Sequence, residues 1–167
     1  MNIIDIKAQN LDKTTVKPYG KIYDVEGEAP TLSEIDFNFY YNIFDVKFDS
    51  EVSFSMVESK VQDEMYSNSL EVHKKTSEIL IPLNGTVYIL LAKSQEKDSD
   101  KPDLTTVKAF CVKPGQGICL PPGIWHRAPL SKDNNVKTVC IIRKGTPEDN
   151  ITYYLEKSFG LTYRICD

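Results

Sequence analysis

The feature that most constrains this chain is a two-residue apolar period carried through most of its length. KIYDV, FNFYYNIFDV, EVSFSMVES, SLEVHK, EILIPL, TVYILLAK, TVKAFCV, GICL and VKTVCIIRK are all short, β-branched or aromatic, and bounded by turn-forming residues. Successive side chains on a strand leave opposite faces, so such runs each offer one face to a core. VEGEAP, LNG, the DSDKPD stretch, KPGQG, PPG and SKDNN separate them. Many short strands with Gly/Pro turns predict an antiparallel sandwich or barrel. Helical periodicity is confined to TLSEID near 31 and TPEDNITYYLEKS near 146. Asn84-Gly85 reads as a type I′ hairpin turn joining EILIPL to TVYILLAK.

Composition excludes several classes. With 167 residues, 41% hydrophobic and 26% charged, the chain is long enough for a substantial core and too apolar for disorder. A formal net charge of −4 with scattered lysines argues against nucleic acid as a partner, because phosphate contacts need clustered cations. The apolar runs ILIPL and VYILLA are too short to span a bilayer, and MNIIDIKAQN lacks the shape of a secretory leader. The expectation is a cytoplasmic protein without a membrane partner. Cys111, Cys119, Cys140 and Cys166 form no C-x-x-C pair and read as reduced thiols.

The two histidines carry the chemistry. Glu71 and His73 lie two apart in SLEVHK, so both side chains leave one face. KKTS then turns the chain, and Glu78 is expected beside them on the neighbouring strand. His126 sits in PGQGICLPPGIWHRAPL, where Gly115 and Gly117 allow a tight turn and Pro121-Pro122-Gly123 a rigid bend. That bend aims His126 across the barrel. Trp125 reads as a core or pocket-wall aromatic. Two imidazoles and two carboxylates suit a divalent transition metal (Mn, Fe, Co, Ni or Zn), and the donor set does not choose among them.

Glu71-x-His73-x4-Glu78-x6-Gly85 and Gly115-x5-Pro121-x-Gly123-x2-His126 together resemble the paired motifs of the cupins. The first has glutamate in place of a histidine and Glu64-Met65-Tyr66 where a glycine opens the motif. In the second, Leu130 replaces a final asparagine. The resemblance implies a single cupin domain over 1–167: an all-β, double-stranded β-helix (jelly-roll barrel) with one or two short peripheral helices. It also implies Glu71, His73, Glu78 and His126 as ligands of one divalent metal.

A closer resemblance is to the ureidoglycolate lyase family. It runs through VKPYGKIYD, SLEVHKKTSEILIPLNGTVYILLA and KPDLTTVKAFCVKPGQGICLPPGIWHRAPL. Glu78 stands where the family carries glutamine, and Arg127 where it carries a second histidine after Trp-His. The resemblance implies cleavage of ureidoglycolate to glyoxylate and urea, with a small hydroxy or keto acid as partner and a homodimer as the assembly. Within it, Glu78 and His126 are the expected catalytic groups, and Arg127 and Trp125 the expected substrate contacts. The departures leave two other readings open: a sugar or keto-acid isomerase, and a small-acid-binding cupin without turnover.

Overall fold

Alternation decides which side chains meet, and in the computed structural model it separates two apolar faces of one large sheet. The structure describes residues 2–97 and 99–167. The chain begins with β1 (Asn2–Asn10), a helical turn α1 (Lys13–Val16) and β2 (Lys21–Tyr23). A small hairpin, β3 (Leu32–Ser33) and β4 (Asn38–Phe39), precedes β5 (Val52–Ser59), β6 (Met65–Ser67) and β7 (Ser69–Val72). The barrel continues with β8 (Glu78–Pro82), β9 (Val87–Ser94), β10 (Pro102–Val112), β11 (Gly117–Leu120), β12 (Trp125–His126) and β13 (Val136–Arg143). A 3-10 turn (Thr146–Asp149), β14 (Ile151–Tyr154), helix α2 (Leu155–Phe159) and β15 (Leu161–Cys166) complete it.

Eight strands form one sheet in the order β14-β7-β12-β9-β10-β1-β15-β6, and five form the facing sheet, β2-β11-β8-β13-β5. Pairing is antiparallel except along β1, which runs parallel to β10 and β15. Ile89, Leu91, Phe110 and Val112 of the large sheet pack against Leu80, Ile118, Leu120, Cys140 and Ile142 of the small one. Their sequence neighbours face the other way: Leu70, Val72, Leu90, Ala92, Ala109 and Trp125 line the back of the large sheet with Tyr163, Ile165 and Leu155 of α2. This is the sandwich or barrel that the alternation predicts, in the jelly-roll form with short helices that the cupin resemblance implies.

Four local expectations are corrected. TLSEID is not helical, because Thr31 N–H bonds to Phe39 C=O and Glu34 N–H to Phe37 C=O, closing the β3–β4 hairpin. The second segment is helical only in part, since β14 separates the 3-10 turn from α2. FNFYYNIFDV contributes just Asn38–Phe39 to a strand; Phe37, Phe39 and Tyr41 are exposed, so its aromatics lack the neighbours that make β-propensity effective. Asn84-Gly85 does not close a hairpin. β8 pairs with β11 and β13, β9 with β10 and β12, and the turn carries the chain from one sheet to the other.

Neither turn residue needs positive φ. Asn84 instead staples the crossover: its Oδ1 accepts from Lys137 N–H at 2.7 Å and its Nδ2 donates to Asn135 C=O at 3.0 Å. Glycine follows because a Cβ at position 85 would stand 2.7 Å from Val136 Cγ2 and 2.8 Å from Asn134 Nδ2.

Candidate metal centre

Three separate elements bring the four motif side chains to one end of the barrel. Glu71 on β7 and His126 on β12 are directly opposed in register on adjacent antiparallel strands, so their side chains leave the same face as neighbours. His73 follows Glu71 by two residues, and Gly123 N–H donates to His73 C=O at 2.9 Å, tying the end of β7 to the bend before β12. Gly123 has φ +87°, the left-handed conformation the Pro-Pro-Gly bend requires. Glu78 arrives differently from expectation. It opens β8 in the facing sheet, paired to Leu120, so it reaches the histidines across the barrel rather than along a neighbouring strand.

The quartet is tight. Nε2 of His126 lies 2.8 Å from Oε2 of Glu78 and 3.8 Å from Oε1 of Glu71, and Nε2 of His73 lies 3.7 Å from Oε2 of Glu78. The imidazole centroids are 5.0 Å apart. Donor atoms of Glu71, His73 and His126 all fall within 4.8 Å of one another. The side chains of His126, Glu78 and His73 are 3%, 9% and 10% exposed against 26% for Glu71, so the centre opens on the Glu71 side.

The electrostatics follow from burial and proximity. Burial drives the Glu78 carboxyl upward, but the His126 imidazole, then His73 and the Cys140 thiol, outweigh it and bring Glu78 down to about 2. Burial pushes His126 down, yet the two carboxylates and a hydrogen bond between its Nδ1 and Ile124 C=O raise it to about 9. Burial and the neighbouring His126 hold His73 below the usual imidazole range. The Cys140 thiol is pushed up, by burial first and then by Glu78.

Whether these residues fit a metal is tested by their unmet polar atoms. His126 Nε2 and Glu78 Oε2 lie 2.8 Å apart as a buried ion pair, and neither has a hydrogen bond of good geometry. His73 Nδ1 is likewise buried without a partner. Orphaned buried donors and acceptors are costly unless something satisfies them. Ligands about 2.1 Å from one ion lie about 3.0 Å apart in adjacent positions and about 4.2 Å apart across it; the 3.7 and 3.8 Å separations fall between these, and the 2.8 Å one just below them. The residues fit a cation.

The expected substrate contacts are placed apart from the quartet. Trp125 precedes His126 on β12 and therefore faces the other way; it is fully buried behind the sheet, with Nε1 donating to Ser94 Oγ at 3.0 Å and its ring edge-on to Tyr153. Its assignment as a substrate contact is corrected to a packing role. Arg127 donates its backbone N–H to Leu90 C=O, and its Nε is buried without a partner. Leu130, in place of the motif asparagine, packs in the back cluster and pairs with Tyr88. Glu64-Met65-Tyr66 lies at β6, where Met65 is core, and this strand needs no glycine.

Sequence reading missed two neighbours of the quartet. Cys140 Sγ donates to Glu78 Oε1 at 3.1 Å, and Asn150 Nδ2 donates to Glu71 Oε2 at 2.7 Å. Alternation along β13 puts Cys140 on the interior face with Val136 and Ile142 but does not announce its contact with Glu78. No spacing announces Asn150.

A jelly-roll barrel with two histidines and two carboxylates converging at one end is a cupin. The profile described as ureidoglycolate lyase matches residues 3–162, and the chain belongs to that family. Curated relatives include the ureidoglycolate lyases of Escherichia coli K12 and Shigella boydii serotype 18, each 31% identical over 78 residues, which is 47% of this chain and 46% of each relative. The matched stretch therefore spans about half the length of these relatives. Solved structures with a similar fold include a 3,4-ketoisomerase from Helicobacter canadensis (12% identity, TM-score 0.46, 80% of this chain and 86% of that one). An oxalate oxidase is also similar (15% identity, TM-score 0.46, 60% of this chain and 45% of that one).

Proposed function

We propose that this protein is a metal-dependent lyase that cleaves ureidoglycolate to glyoxylate and urea, with Glu71, His73, Glu78 and His126 holding one divalent ion. The observation that carries the reading is the buried quartet with its unsatisfied nitrogen and oxygen atoms, in a chain of this family. Mn, Fe, Co, Ni and Zn all accept such a donor set.

The substrate is an α-hydroxy acid whose hydroxyl-bearing carbon also carries a urea nitrogen. A divalent ion held by the quartet would supply Lewis acidity toward the substrate hydroxyl. The reaction then moves one proton from that oxygen to nitrogen as the C–N bond breaks and a C=O bond forms. We assign that proton transfer to Glu78, an ionised carboxylate at neutral pH, through the oxygen that an ion would leave free; a water on the ion is the alternative carrier. Substrate enters on the Glu71 side, the most exposed edge of the quartet. Glyoxylate release from ureidoglycolate, with each of the five metals supplied in turn, tests the assignment; no release with any of them removes it.

We also infer a homodimer. Phe37, Phe39 and Tyr41 beside the β3–β4 hairpin, and Phe54 and Met56 on the edge strand β5, leave large apolar side chains exposed. Patches of this kind mark association surfaces. Light scattering should give twice the chain mass, and a monomer at micromolar concentration refutes the inference.

A further inference from the structure

Each carboxylate of the quartet has one oxygen tied to a side chain outside the spaced motifs. Asn150 Nδ2 holds Glu71 Oε2 at 2.7 Å, leaving Oε1 toward His126. Cys140 Sγ holds Glu78 Oε1 at 3.1 Å, leaving Oε2 toward both imidazoles. The terminal torsion of a glutamate is broad and nearly two-fold, so its two oxygens exchange unless something distinguishes them. A single donor on one oxygen does so.

We propose that Cys140 and Asn150 are positioning residues that set which oxygen of Glu78 and of Glu71 faces the metal, an inference that rests on the metal-centre reading above. The two act from different sheets. Cys140 projects into the interior from β13 of the small sheet, whereas Asn150 lies just before β14, the strand beside β7 in the large one. Among the described residues neither side chain has another hydrogen-bond partner. The thiol's hydrogen bond is to Glu78, and Asn150 Oδ1 is buried without a partner, so its amide is anchored by Glu71 alone. Flipping that amide would set oxygen against carboxylate, which fixes Nδ2 as the donor. Partners of this kind, one shell out from the ligands, orient them and typically contribute 10- to 100-fold to metal affinity.

The test is Co(II) titration of the metal-free protein, reading the dissociation constant and the visible d–d spectrum. Cys140→Val keeps the volume and removes the donor, Cys140→Ser keeps a donor, and Asn150→Ala removes the amide; thermal unfolding of each metal-free variant checks that it folds. Cys140→Val and Asn150→Ala are expected to bind Co(II) about 10- to 100-fold more weakly with altered spectra, and Cys140→Ser to restore near-native values. Wild-type affinity and spectrum in both donor-deleted variants overturn the proposal. A thiolate-to-cobalt charge-transfer band that disappears in Cys140→Ser also overturns it, by making Cys140 a ligand. Failure of the wild type itself to bind removes the metal centre and this inference together, whereas binding that depends on His126 but not on Cys140 or Asn150 removes only the inference. If Cys140→Val does not fold, the partly exposed Asn150 decides the outcome.

Discussion

Nε2 of His126 approaches Oε2 of Glu78 to 2.8 Å, and both atoms are buried. Two groups that share so small a space are poised for a common cation. Without one, the carboxylate raises His126 until it carries a proton at neutral pH.

Metal uptake should therefore expel a proton. At pH 7 His126 is protonated, with its value raised to about 9, while His73 is held low and neutral and Glu78 is ionised. Binding is expected to release about one proton per ion and to strengthen about tenfold per pH unit up to about pH 9. Calorimetry in buffers of different ionisation enthalpy counts the proton, and no release at pH 7 contradicts the assignment.

The same pair sets the pH profile of the metal-free fold. His126 is raised from 6.5 to about 9, so its contribution is complete below 6.5 and is lost as pH climbs through 9. Glu78 is lowered from 4.5 to about 2, so its contribution is complete above 4.5 and is lost as pH falls through 2. The two shifts describe one interaction, and stability from it should plateau between 4.5 and 6.5. Urea midpoints across pH measure this. Glu78→Gln should flatten the alkaline limb, and an unchanged alkaline limb in that variant counts against the pairing.

Trp125→Phe should cost stability and leave substrate affinity alone. The ring is fully buried on the face opposite His126, and its Nε1 bond to Ser94 is lost. A loss of about 1–2 kcal/mol in the urea midpoint is expected, with KM unchanged. A raised KM at native stability would return Trp125 to the substrate pocket.

Gly85→Ala should destabilise the crossover between β8 and β9. The added methyl meets Val136, which is fully buried, and the Asn134 side chain. Overpacking of this kind costs about 1–3 kcal/mol. Thermal unfolding reads it directly, and a native midpoint would mean that residues 134–136 yield without strain.

How legible was this architecture in the chain? The runs with a strict two-residue period, such as EILIPL and VKTVCIIRK, became β8 and β13 because one face of each had a core to enter. Residues 161–166 carry the same period through Leu161, Tyr163 and Ile165, and as β15 they join the large sheet beside β1 with those side chains in the back cluster, a pairing nothing local announces. FNFYYNIFDV has the composition of a strand and only two residues in one, because composition does not supply a neighbour. Asn84-Gly85 has the chemistry of a hairpin turn and makes a crossover, because the interior faces of β8 and β9 belong to opposite sheets. Parity made the shared side of Glu71 and His73 readable and the Pro-Pro-Gly bend the aim of His126, whereas Glu78 comes from the facing sheet rather than from a neighbouring strand. Cys140 and Asn150 touch it through tertiary approach alone, from positions 62 and 79 residues away from their partners.

The most direct test of the central claim is the metal content of the purified protein, by elemental analysis, beside His126→Ala. The account predicts one divalent ion per chain in the wild type after reconstitution, and a large loss in the variant with its fold intact by circular dichroism. A wild type that takes up none of Mn, Fe, Co, Ni or Zn, or a His126→Ala protein that retains as much as its parent, would contradict it.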